Sequence, residues 1–201
     1  MGYIFCLMGK SASGKDTIYQ RLLERKELGL RRVIPYTTRP IREGEIPGET
    51  YIFCSEDEVA RLEAGQQIIE LRTYQTVYGP WKYFTANDGQ IQLESCDYLL
   101  IGTLETYIKV RDYFGAGQVI PVYVEVEDGE RLLRAIAREK SQTRPKYEEM
   151  CRRFLADTAD FSEEKLAQAG ICRRFVNERL EDTVEEISAF IRELQRQAAE
   201  E

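Results

Sequence analysis

The stretch that most constrains this chain is Gly9-Lys10-Ser11-Ala12-Ser13-Gly14-Lys15-Asp16-Thr17. It follows the apolar run Tyr3 to Met8, which reads as a short buried strand, and precedes Ile18, Leu22 and Leu23, which repeat at helical spacing. The order is strand, glycine loop, helix. The spacing from Gly9 to Gly14-Lys15 fits G-x-x-x-x-G-K, in which small residues let backbone N–H groups turn inward around a polyphosphate at a helix N-terminus. Lys15 then reaches the outer phosphates as a mobile point charge. Asp16 stands where a Ser or Thr ordinarily offers a hydroxyl to magnesium, so Asp16, through a hard carboxylate oxygen, and Thr17 are both candidates for the metal.

Composition narrows the chemistry. The 201 residues suit one domain, or a core with inserted lobes, and 43% hydrophobic content can fill it. No apolar run approaches the roughly 18 residues of a membrane span, and the N-terminus lacks a basic-then-apolar signal, so a cytoplasmic address is expected. A net charge of −7 disfavours general nucleic-acid binding, so anionic ligands must meet local basic clusters. Five scattered cysteines without a C-x-x-C pair suggest neither a disulfide framework nor zinc. The chain has no histidine, which excludes histidine triads and histidine metal sites. Phosphoryl transfer to another phosphate survives, because the acceptor oxygen is already anionic and needs no general base.

Further along, Leu30 to Tyr36 reads as a second strand, followed by Thr37-Thr38-Arg39-Pro40-Ile41-Arg42-Glu43-Gly44-Glu45. Two arginines three apart in a Pro/Gly-rich loop suit bidentate capture of one phosphate. Tyr51 to Phe53 is a short strand, and Ser55 with Glu58 forms a capping box that opens a helix through Leu62, ended by Gly65. Ile68 to Thr73, Val77 to Phe84, Asp97 to Ile101 and Val119 to Val126 read as strands, with Leu104, Ile108 and Tyr113 marking a helix between the last two. Asp128 to Lys140 reads as a helix with Leu132, Leu133 and Ile136 on one face, and a second helical segment carries Arg152 and Arg153. Phe161 to Ala169 is helical, Arg174 to Asn177 gives a last strand, and Leu180 to Leu194 supplies the apolar face of a C-terminal helix. Strands alternating with helices predict a parallel sheet covered on both faces.

These motifs resemble the guanylate kinase family nearly end to end. Gly9 to Lys15 matches its phosphate loop, and Thr37 to Glu45 its T-T-R-P-x-R-x-G-E loop; Tyr51, Glu70 and Tyr78-Gly79 match its later pocket residues. The resemblance implies a three-layer α/β kinase fold: a core over 1–32, 95–127 and 159–201, an acceptor-binding lobe over 33–94 and a lid over 128–158. It implies ATP- and Mg2+-dependent phosphorylation of a nucleoside monophosphate, with GMP or dGMP first. Nucleotides are then the partners, and monomer and homodimer stay open. By the same resemblance Arg39, Arg42, Tyr51, Tyr78 and Gly79 hold the acceptor, Glu70 reads guanine N1 and its amino group, Asn177 lies near adenine, and lid arginines Arg138 and Arg153 join Lys15 in catalysis. The lid spacing is longer than the family's, so Arg144 or Arg152 could take either role.

Three departures fall in the acceptor pocket. Pro35 and Pro80 replace hydroxyl residues, and the family's D-x-D-x-Q-G segment reads Leu100-Ile101-Gly102-Thr103-Leu104-Glu105, without aspartate. A kinase of this fold acting on another phosphorylated acceptor, such as ribose bisphosphate, is the alternative. A non-enzymatic binding module ranks third, because the donor loop is complete.

Overall fold

A computed structural model describes residues 1–42, 44–76 and 79–200. Strand β1, Ile4–Met8, is buried at all five positions, and such a run is stable only inside a sheet covered on both faces. It forms the centre of a five-stranded sheet with β2 (Arg31–Arg32), β7 (Tyr98–Ile101), β8 (Val119–Glu125) and β9 (Arg174–Val176), in the order β2-β7-β1-β8-β9, with every pairing parallel. On one face α1 (Lys15–Glu24) and α7 (Leu180–Glu200) cover Phe5, Leu7, Val122, Val124 and Phe175. On the other, α3 (Leu104–Phe114) and α6 (Glu163–Gln168) cover Ile4, Cys6, Met8, Leu100 and Tyr123. The predicted three-layer α/β architecture is therefore present. Connections leave β1 towards β2 on one side, and β8 lies on the other. The carboxyl end of β1 is thus the topological switch point where open α/β sheets bind ligands.

A second sheet, β4-β3-β6-β5, lies between β2 and β7 in sequence. It contains β3 (Tyr36–Thr37), β4 (Ile52–Phe53), β5 (Ile68–Thr76) and β6 (Gly79–Ala86), with α2 (Glu56–Ala64) packed on it through Val59 and Leu62. Ser55 caps α2 by accepting from Glu58 N, as the capping box predicts. The single strand expected over Leu30 to Tyr36 is instead two. Arg31–Arg32 pairs with β7 in the core sheet, whereas Tyr36–Thr37 joins the second sheet, with Val33 to Pro35 crossing between them. The strand expected from Val77 begins at Gly79, and Val77 and Tyr78 lie outside the described residues.

Helix α4 spans Asp128–Lys140 and α5 spans Tyr147–Asp160. The apolar face expected on α4 is not the buried one. Leu133 is 65% exposed, and the buried positions are Arg131, Ala135 and Glu139, four apart along one stripe. Charged side chains replace apolar ones because the helix packs against polar loops, where Arg131 and Glu139 find hydrogen-bond partners. Among the described residues no helix is long and apolar enough to cross a membrane.

Candidate active site

Backbone geometry at the end of β1 explains the glycine spacing. A side chain at Gly9 would place its Cβ 2.5 Å from the Val124 carbonyl oxygen of the neighbouring strand. Gly14 has φ 84° and a Cβ there would meet Asn177 Nδ2 at 2.5 Å, so both positions require glycine. Ala12 also adopts a left-handed φ of 64°, a conformation held only where the surroundings impose it. Lys15 opens α1 and its Nζ lies 3.5 Å from Asp16 Oδ2, while the Asp16 side chain is itself 83% exposed and Thr17 is exposed. The loop contains one buried polar atom, Ser13 Oγ, without a partner among the described residues. A helix N-terminus, inward-curving small residues and an unsatisfied hydroxyl fit a polyphosphate, and the Asp16 and Thr17 oxygens fit a hard cation.

Asn177 is buried and donates through Nδ2 to the Ser13 carbonyl, 2.8 Å away. Its Oδ1 accepts from Thr183 Oγ1 at 3.4 Å. The side chain thus braces the glycine loop from β9. Beside the loop a cavity of about 360 Å³ is lined by Lys10, Glu125, Asp128, Arg131, Glu163 and others.

Around the second sheet the predicted acceptor residues Arg39 and Tyr51 meet, and Arg39 and Glu70 are each already paired with a neighbouring side chain. Arg39 is 4% exposed; its Nη1 and Nη2 donate to the two Glu45 oxygens at 2.8 and 2.5 Å, and its guanidinium stacks on Tyr51 and Phe53 at 5.0 and 5.4 Å. The Arg39 hydrogen bonds hold the Glu45 carboxyl down at about 2. Glu45 also accepts from Arg42 N, leaving the exposed Arg42 side chain outside this pair. Burial pushes the Tyr51 hydroxyl up, so it stays a neutral donor. Glu70 has a side chain with no exposure and accepts from Arg72 Nε at 3.0 Å, Arg72 Nη2 at 3.3 Å and Thr85 Oγ1 at 3.1 Å. Gly79 adopts φ 102° at the end of the β5–β6 hairpin; its predicted partner Tyr78 lies outside the described residues.

The departure at Gly102 has a structural reason. A Cβ at Gly102 would come 2.9 Å from Thr106, which α3 holds against the end of β7, so no aspartate fits there without moving that helix. Thr103 caps α3 and Glu105 pairs with Lys109 one turn on. Pro35 accepts from Ile52 N and Pro80 lies opposite Gln75.

Arg138 is exposed on α4, and Arg153 on α5 pairs with Glu149 at 3.0 Å, as Arg152 does at 2.7 Å. Sequence reasoning missed Arg131 and Asp157, which do touch the loop, because their partners lie far away along the chain. It also missed Arg72; the signal available was its position two residues after Glu70, on the same strand face.

The guanylate kinase family model matches residues 2–88. The guanylate kinase of Wolbachia sp. subsp. Brugia malayi is 30% identical over 202 residues, 94% of this chain and 92% of that protein. Those of Caldanaerobacter subterraneus subsp. tengcongensis and Neisseria gonorrhoeae are 33% and 38% identical, over 59% and 50% of this chain; these matches span about half of those relatives, 56% and 46%. The crystal structure of guanylate kinase from Anaplasma phagocytophilum superposes with a TM-score of 0.63 at 24% identity, covering 95% of this chain and 85% of that one, which supports the fold. With the Wolbachia protein aligned across nearly its whole length, this chain belongs to the guanylate kinase family of phosphotransferases.

Proposed function

We propose that the chain transfers the γ-phosphoryl group of ATP to GMP or dGMP, giving ADP and the nucleoside diphosphate. The observation that carries this reading is the Gly9–Lys15 loop at the switch point of the parallel sheet, with an arginine-bearing loop in the adjoining lobe. We place the acceptor lobe at 33–94 and the lid at 128–158. An anionic oxygen of the acceptor phosphate forms the new bond to the γ-phosphorus while the bond to the β,γ-bridging oxygen breaks, and ADP leaves with that electron pair. Lys15 neutralises charge moving onto the donor, and Arg138 and Arg153 complete the clamp when α4 and α5 close.

Arg42 takes the acceptor phosphate, together with Tyr51, Tyr78 and Gly79; Arg39, pinned by Glu45, fixes the shape of that loop and lends its charge. Fixing both phosphates end to end contributes about 7 kcal/mol through proximity. Asp16 or Thr17 would hold Mg2+, which when bound supplies charge neutralisation at the phosphate oxygens. Asn177 supports the donor loop from below and borders the adenine. A panel measuring ADP release with GMP, dGMP, AMP, UMP and ribose phosphates tests the proposal; turnover on none of the nucleoside monophosphates would refute it.

A second reading is favoured by one observation. Glu70 is closed off by Arg72 and Thr85, so a base has no open carboxylate to meet. A kinase acting on a sugar bisphosphate would need no such carboxylate, and the same panel separates the two.

A further inference from the structure

Ser11 of the glycine loop is held at both of its flanking peptide groups by an ion pair that comes from two other helices. Its N–H donates to Asp157 Oδ2 of α5 at 2.6 Å, and its carbonyl accepts from Arg131 Nη1 of α4 at 3.2 Å. Arg131 Nη1 lies 3.6 Å from that Asp157 oxygen. The Arg131 side chain is 1% exposed, donates through Nε to Asp128 Oδ1 at 3.0 Å, and stacks over Phe154 at 4.5 Å. Lys10 reaches the same Asp128 oxygen at 3.3 Å. Burial pushes the Asp128 carboxyl up, but Arg131 and Lys10 outweigh it and hold it below the usual range. None of these contacts is local to the loop: 146 residues separate Ser11 from Asp157.

A phosphate-binding loop works only if its amides point inward before the ligand arrives, because reorienting them on binding costs affinity. The loop already carries a left-handed residue at Ala12, immediately after Ser11. Securing the Ser11 N–H, in the peptide that joins it to Lys10, and its C=O, in the peptide that joins it to Ala12, restrains both peptide planes and so fixes the approach to the strained position. We infer that Asp157 and Arg131 are positioning residues for the donor site, holding the loop in its phosphate-ready form and tying it to α4 and α5; the inference rests on the donor-loop role proposed above. The charge cluster is internally matched, so its effect falls on loop geometry and not on the acceptor side.

The test compares wild type with Asp157→Ala and Asp157→Asn by steady-state KM for ATP and for GMP, by calorimetric binding of ADP, and by thermal melting. Asp157→Ala is expected to raise the ATP KM and the ADP Kd about tenfold, the scale of one charge-assisted hydrogen bond, with the GMP KM within about twofold. Asp157→Asn keeps an acceptor oxygen for Ser11 N–H but loses the charge towards Arg131, so a donor-only rise of about threefold is expected. If the alanine variant does not fold, the asparagine variant decides alone. Equal shifts in both KM values, no donor shift, or tighter ADP binding in either variant would overturn the inference. Wild type that binds no ADP would instead overturn the donor-loop reading beneath it.

Discussion

Glu70 and Arg72, two residues apart on one face of β5, form a buried two-point ion pair with the glutamate side chain wholly excluded from solvent. Burial alone would lower the arginine's pKa, and Glu70 outweighs it, so Arg72 stays charged. Both carboxylate oxygens already accept hydrogen bonds. A base amino group must therefore displace a guanidinium to reach Glu70, which weakens discrimination by that contact. GMP and IMP differ only by the 2-amino group, and their kcat/KM values are expected to agree within about tenfold. A preference for GMP far above that would show that the pair opens on binding. Arg72→Leu should cost about 3 kcal/mol in urea unfolding, since it strands a buried carboxylate.

Arg39 and Glu45 give the acceptor loop a defined pH dependence. The Glu45 carboxyl falls from its ordinary 4.5 to about 2 in the folded protein, chiefly through the Arg39 hydrogen bonds. Its contribution to stability is complete above about 4.5 and disappears as pH falls from there through about 2. Glu45→Gln is expected to cost about 2 kcal/mol at pH 7, lowering Tm by roughly 5 °C, and that difference should shrink in melts below pH 4. A constant difference from pH 7 to pH 3 would assign the loss to packing.

Gly14→Ala should damage the donor loop more than a typical exposed substitution. The new methyl meets Asn177 Nδ2 at 2.5 Å on a backbone already at φ 84°. Asn177→Ala leaves the Ser13 carbonyl without its side-chain donor, at a cost of about 1–2 kcal/mol. The double variant should lose less than the sum of the singles, because the alanine at 177 makes room for the methyl. Strict additivity in thermal unfolding would contradict that shared contact.

Lys15→Ala is expected to lower kcat on the order of a hundredfold to a thousandfold, as removal of a cation at the transferring group does. Arg42→Ala should instead raise the acceptor KM by about 10- to 100-fold with the ATP KM unchanged. Two variants with near wild-type kinetics would refute the assignment of both sites.

What the sequence determined by itself was local. The buried run of β1, the left-handed glycine at 14, the Ser55–Glu58 cap and the limits of α4 all follow from short-range rules: apolar periodicity, backbone conformations that only glycine adopts easily, and side chains that cap their own helix. What tertiary structure decided was which charged groups remain available. Arg39 and Glu70 stand out as candidates in a string of letters and Arg131 does not, yet each is held by a partner that folding brings to it. Arg42 keeps its side chain exposed, whereas Asp157, unremarked in its helix, is brought to the donor loop. An ion pair depends on distance in space, and contacts such as Ser11 to Asp157 close only when strands and helices far apart in the chain have packed.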